Sequence, residues 1–114
     1  MTHDVEGHLP LKRAAFHILL ALGNGPRHGY GIRGDVEALT GGAVKLWPVT
    51  MYGTIRELDD AGLIEAASAP AEEQDGRRQY YDLTLLGQRV LRAETARLRA
   101  LVEHAERTRA VRVR

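Results

Sequence analysis

Apolar positions recur at three- and four-residue steps along most of the chain and alternate briefly near its middle, an order that predicts helices carrying a β-hairpin. From Leu11 to Leu22, LKRAAFHILLAL puts Leu11, Ala15, Ile18, Leu19 and Leu22 on one face of a first helix, which Asn24-Gly25-Pro26 ends. A second helix follows from His28, with Tyr30, Ile32, Val36 and Leu39 in a weaker pattern carrying internal glycines and closed by Gly41-Gly42. Val44-Lys45-Leu46 alternates and predicts a very short strand. Pro48 then opens a third helix at the turn where no backbone donor is lost, and Gly62 stands where a helix ending takes a left-handed residue. Steps of about 100° per residue place Met51, Ile55 and Leu58 on its inner face. Val49, Thr50, Tyr52, Gly53 and Arg56 fall on the outer arc, which is small, polar and thinly charged and so suits close approach to a groove.

Leu63 to Ala67 and Gln79 to Leu83 have strand composition, and the polar SAPAEEQDGRR between them makes the exposed tip of a hairpin. Thr84 is a natural cap for a last helix in which Leu86, Val90, Leu91, Leu98, Leu101, Val102 and Ala105 recur, a segment roughly 35 Å long at about 1.5 Å per residue. A lone two-stranded ribbon is not stable by itself and must pack on the helices. The predicted fold is therefore mainly α with a two-stranded β-wing: a winged helix-turn-helix over residues 1–83, joined as one compact unit to a long C-terminal helix over 84–110. Leu91, Leu98 and Ala105 repeat by seven with Leu101 between them, so the stripe on this helix calls for a partner, and a homodimer supplies one.

Composition changes this picture little. The chain has 114 residues, 44% of them apolar, enough for one domain with a modest aliphatic core. It holds no cysteine, which excludes disulfides, thiolate catalysis and cysteine-based metal sites. MTHDVEGHLP carries no secretory pattern and the longest apolar run, Ile18 to Leu22, is far short of a membrane span, so a cytoplasmic protein with no membrane partner is expected. His3, His8, His17, His28 and His104 show no ligand spacing, and no nucleotide loop or nucleophile elbow occurs, so neither metal, cofactor nor enzyme activity is expected. Net charge is only +1, but distribution matters more than the sum. Arg77 and Arg78 sit side by side at the end of the wing, whereas Glu57, Asp59, Asp60 and Glu65 cluster just after the third helix's outer arc.

HGYGI at His28 to Ile32, the Gly41-Gly42 turn, PVTMYGTIREL at Pro48 to Leu58, AGLIE at Ala61 to Glu65 and GRRQYYDLTLLGQRVL at Gly76 to Leu91 together resemble PadR-type transcriptional regulators, over roughly residues 11 to 105. The family's usual Pro-Gly-Thr-Leu-Tyr stands here as Pro48-Val49-Thr50-Met51-Tyr52, and a branched Val49 narrows the approach of the backbone to DNA. With one helix after the wing, the chain looks like the shorter subgroup, which dimerises through that helix. The resemblance implies a homodimeric repressor that binds a double-stranded operator with dyad symmetry and that, in some members, is released by a small hydrophobic molecule.

By that resemblance Thr50 and Tyr52 face DNA, where a hydroxyl and a phenol at a helix N-terminal turn can donate to phosphate; the local alternative is that Thr50 caps and Tyr52 packs on the wing. Arg56 shares the arc and reaches either a guanine edge or its acidic neighbours. Arg77 and Arg78 can enter a minor groove or clamp the backbone, and Lys45 and His28 are further phosphate candidates. Tyr30, Tyr80 and Tyr81 read as structural. Trp47 either buttresses the short strand and the dimer-side core or lines an effector pocket between the first and last helices, with Phe16 and Leu19 as neighbours. Near-neutral charge leaves a second function class open, a winged-helix module that binds protein and not DNA.

Overall fold

The computed structural model describes residues 2–73 and 78–108. The chain runs through α1 (Thr2–Glu6), α2 (Arg13–Leu22), β1 (Arg27–His28), α3 (Gly29–Leu39), α4 (Pro48–Asp60), β2 (Ile64–Ala67), a single 3-10 turn (Ala71–Glu73), β3 (Tyr80–Leu83) and α5 (Leu85–Glu106). Ala15, Ile18, Leu19, Ala21 and Leu22 of α2 are all buried, because one-turn spacing gathers them on one face. They meet Ile32 and Val36 of α3, Met51, Ile55 and Leu58 of α4, Leu63 and Ile64 at the start of the hairpin, and Val90 of α5. The core is aliphatic and sits beneath α4, so its inner face is held while its outer arc stays in solvent.

Helix ends follow local chemistry. Pro48 is the first residue of α4, and Gly62, at φ +77°, lets the Leu63 amide reach back to the Leu58 carbonyl at 2.9 Å. Thr84 caps α5 as expected: its hydroxyl oxygen accepts from the Gly87 amide at 3.0 Å.

Four features depart from the sequence reading. A short helix, α1, precedes the first expected one. The first expected helix begins at Arg13 and not at Leu11, because Lys12 is extended at ψ 154° as its N-cap; the Leu11 amide ahead of it donates to the buried Glu94 carboxylate at 3.1 Å. Val44-Lys45-Leu46 is not a strand: after Gly41 and Gly42, both at positive φ, the Val44 amide bonds to the Thr40 hydroxyl at 3.0 Å, and among the described residues no strand pairs with this segment. The ribbon instead gains its third strand from β1. The sheet has the antiparallel order β1-β3-β2, with Arg27 opposite Tyr81, His28 opposite Tyr80, and Ile64 opposite Leu83. Pairing β1 to the wing ties the start of α3 to it, and this places α3 and the wing on one surface with α4.

Glu94 occupies the apolar stripe of α5 yet is only 2% exposed. Arg97 answers it through Nε to Oε1 at 2.6 Å and Nη2 to Oε2 at 3.0 Å. The Arg97 hydrogen bond, opposed by burial and aided by the Leu11 amide, holds the Glu94 carboxyl below the usual carboxylate range.

Candidate nucleic-acid interface

Helix α4 presents Val49, Thr50, Tyr52, Gly53 and Arg56 to solvent while Met51, Thr54, Ile55 and Leu58 are buried, the division that 100° steps predict. Its N-cap residue, Trp47, supplies no side-chain cap, and Pro48 has no amide, so the first-turn amides of Val49 and Thr50 remain donors facing outward. The Thr50 hydroxyl makes no hydrogen bond among the described residues; Thr54 bonds instead to the Thr50 carbonyl at 2.8 Å. The capping alternative for Thr50 therefore does not hold. Arg56 is exposed and forms no ion pair among the described residues, while the nearby Glu57 lies 4.0 Å from Lys12.

Tyr52 is anchored from below by a gap in α3. Gly29 has no side chain, and the Tyr52 ring tip fills the space where a Cβ would lie, 2.7 Å from the phenolic oxygen. The same logic explains Gly31: the Arg27 guanidinium lies where its Cβ would project and goes on to Asp35, with Nε to Oδ2 at 2.8 Å. Arg27 is thus spent on tying β1 to α3. Two of the internal glycines that weaken the helical pattern of α3, Gly29 and Gly31, are thus contact points for side chains from its neighbours, whereas Gly34 faces open space.

Beside Tyr52 a hollow of about 360 Å³ is lined by His28, Tyr30, Tyr52, Arg78, Gln79 and Tyr81 together with the Gly29 backbone. Arg78 is exposed and its guanidinium lies 5.7 Å from the Tyr30 ring centre. Tyr30, expected to be structural, is 72% exposed at this corner and was missed as a site residue. Tyr81 is partly buried. Burial first, then the negative charge of Asp59 and the neighbouring Tyr52, raise its phenol above the usual value, so it stays a neutral donor.

His28 is corrected. It is buried, and its Nδ1 accepts the Gly31 amide at 3.0 Å as the N-cap of α3, while its ring stands edge-on to Tyr80 at 5.1 Å. A neutral imidazole has one acceptor, and the cap uses it. The other ring nitrogen, Nε2, lies 2.9 Å from Arg78 Nη1, which brings the guanidinium against the imidazole edge. His28 positions α3 and Arg78 and is not itself open to phosphate. Arg77 lies outside the described residues.

On the other side of α4, Lys45, Trp47 and Thr50 line a second hollow of about 440 Å³. Trp47 is 61% exposed, with Arg33 5.5 Å from its ring, and so buttresses no core. Leu19 is fully buried in the core and Phe16 is half-buried, edge-on to His17. Neither lines the hollow of Trp47, and the three residues expected around one effector pocket are not brought together. The larger groove, about 790 Å³, lies along α5 and is lined by Leu22, Leu83, Leu91, Thr95, Ala96 and Ala100 among others. Of the heptad residues only Leu91 lines that groove; Leu91, Leu98 and Ala105 are half-buried, whereas Leu101 and Val102 are exposed.

The transcriptional regulator PadR-like family matches residues 18–93. A curated relative, an uncharacterized 37.1 kDa protein in a transposon of Streptomyces fradiae, is 35% identical over 77 residues, which are 68% of this chain. The chain spans about a fifth of that protein's length. Among solved structures, a transcriptional regulator from Clostridium thermocellum is similar with a TM-score of 0.69 at 17% identity, covering 96% of this chain and 97% of that one. A PadR family transcription regulator from hypervirulent Clostridium difficile has a TM-score of 0.69 at 22% identity, covering 83% and 96%. These likenesses bear on the fold, which is that of the winged-helix regulators, with a small three-stranded sheet and a long last helix.

Proposed function

The chain belongs to the PadR-like family of transcriptional regulators, and we propose that it acts in the cytoplasm as a homodimeric repressor that binds operator DNA. The observation that carries this is the outer arc of α4, with Thr50, Tyr52 and Arg56 exposed and Tyr30 and Arg78 set beside it. The N-terminal turn of α4 enters the major groove, its open amides and the Thr50 hydroxyl donating to phosphate and base edges. Arg78, with Arg77 beside it in sequence, takes the backbone next to that groove. Val49, 89% exposed at the first turn, offers its methyl groups to a thymine methyl, so its branched side chain becomes a contact where the family has glycine.

Dimerisation uses α5. The half-buried Leu91, Leu98 and Ala105 and the exposed Leu101 and Val102 form a stripe that a second copy covers, and dyad symmetry then sets two α4 helices about 34 Å apart on one face of the duplex. A small hydrophobic effector enters the groove along α5, where it acts directly on the dimer, and not the hollow beside Trp47.

The test is retardation of a duplex carrying the DNA upstream of this protein's own gene, at rising salt. Binding at low salt that weakens steeply as salt increases is expected. Absent or salt-independent binding refutes DNA recognition and favours the protein-binding module.

A further inference from the structure

We infer that Arg13, Arg33, Lys45 and Trp47 form a second clamp on the DNA phosphate backbone, across α4 from the wing. The inference rests on the DNA-binding function proposed above. Thr50 and Tyr52 are two residues apart, about 200° around the helix, so the hollows that contain them flank α4 on opposite sides. The Tyr52 side holds Arg78 over Tyr30; the Thr50 side holds Arg33 beside Trp47. Arg33 follows Tyr30 by three residues on α3, which puts these two cation–aromatic pairs next to each other along the same helix surface.

The Thr50-side hollow has the chemistry of a phosphodiester site. Arg13 and Lys45 line it, no acidic residue does, and Arg13, Arg33 and Lys45 form no ion pair among the described residues. Trp47 contributes an indole N–H that can only donate, on a ring already held out of the core by the Arg33 guanidinium. The open first-turn amides of α4 and the Thr50 hydroxyl adjoin it. Cations and an indole donor with no carboxylate among them discriminate against peptides, which bring both charges, and favour a uniformly anionic strand. Arg13 stands at the start of α2, so this clamp recruits a helix that takes no part in reading the groove.

Fluorescence anisotropy of the full chain tests this with two labelled duplexes, one carrying the DNA upstream of its own gene and one of random sequence, across a salt series. Arg33→Ala and Arg13→Ala are each expected to weaken both duplexes by a similar factor, about three- to ten-fold near 0.1 M salt, and to lower the slope of log affinity against log salt by about 0.9. Arg33→Lys retains the slope, because the charge is kept. If both alanine variants keep wild-type affinity and slope while Arg78→Ala loses both, the second clamp is overturned and the DNA-binding function stands. Weakening confined to the upstream duplex also overturns it, since that reports base reading. Wild-type protein that binds neither duplex overturns the clamp and the function together.

Discussion

Gly29→Ala should weaken DNA binding while leaving the fold as stable as before. A Cβ at this position lies 2.7 Å from the Tyr52 phenolic oxygen, 2.8 Å from Cε1 and 3.0 Å from Cζ. Carbon contacts settle at about 3.5–4.0 Å, so the ring tip must retreat by about 1 Å. Tyr52 is half exposed and has solvent to turn into, which limits the strain to about 0.5–1.5 kcal/mol for a displaced rotamer. Gly29 is the first residue of α3 and its φ is not positive, so alanine recovers about 0.4–1 kcal/mol by restricting the unfolded chain. The two terms nearly cancel, and urea unfolding should find the variant within about 1 kcal/mol of wild type.

Binding has no such compensation. A phenol that donates to a charged oxygen contributes about 1.5–3 kcal/mol, and moving it away should cost about ten- to a hundred-fold in operator affinity by anisotropy. Tyr52→Phe should show a similar loss, and the double variant little more, because both changes remove one interaction. Wild-type affinity for a folded Gly29→Ala, or fully additive losses in the double variant, would refute the role given to Tyr52.

Glu94→Gln should destabilise the protein by about 1–3 kcal/mol at pH 7, since the amide loses the charge and sets its NH2 against a donor where the carboxylate has a second acceptor oxygen. The folded carboxyl titrates below its ordinary 4.5, so its stabilisation is present above that pH and lost as pH falls through the lower folded value; the gap between variant and wild type should close in acid, and a pH-independent gap contradicts the ion-pair account. Gly87→Ala should unfold more easily by about 1–3 kcal/mol, because its Cβ meets the Leu63 carbonyl, which cannot swing aside, and a thermal midpoint equal to wild type would refute this. Leu101→Glu, at an exposed position on α5, should give a folded monomer in analytical ultracentrifugation and lose operator binding; a variant that stays dimeric places the interface elsewhere.

Helix α4 was legible because several independent signals agree at its position: proline at the start, a left-handed glycine after the end, and an apolar face between them that the core then uses. The last helix was legible for the same reason, with Thr84 as its cap. What could not be read depends on distant partners. β1 is two residues long and exists only because β3, some fifty positions later, offers it a ladder. His28 looks like an exposed basic residue until the Gly31 amide and the Tyr80 ring enclose it. Tyr30 and Gly29 did carry a signal, since an aromatic flanked by glycines suits a surface where another side chain must come close. Glu94 carried one too: an acid within an apolar stripe, three residues before an arginine, asks for a buried pair.

A chain with a net charge of only +1 can still hold DNA if its charges are sorted in space, and α4 sorts them along its own axis. Its N-terminal turn is free of acids and stands between Arg33 and Arg78, whereas Glu57, Asp59 and Asp60 fall in its last turn. Of these acids, Glu57 faces Lys12, while the charge of Asp59 bears on Tyr81, which lines the hollow beside Tyr52. This polarity constrains the docking angle. A helix lying flat in the major groove would bring Asp59 and Asp60 against phosphates, where like charges repel, while one entering by its first turn keeps them out of reach. If α4 reads the major groove as proposed, its acidic end would tilt it in tip first, and that pose would bring both flanks of its first turn, the Tyr52 side and the Thr50 side, against the two backbones that border the groove.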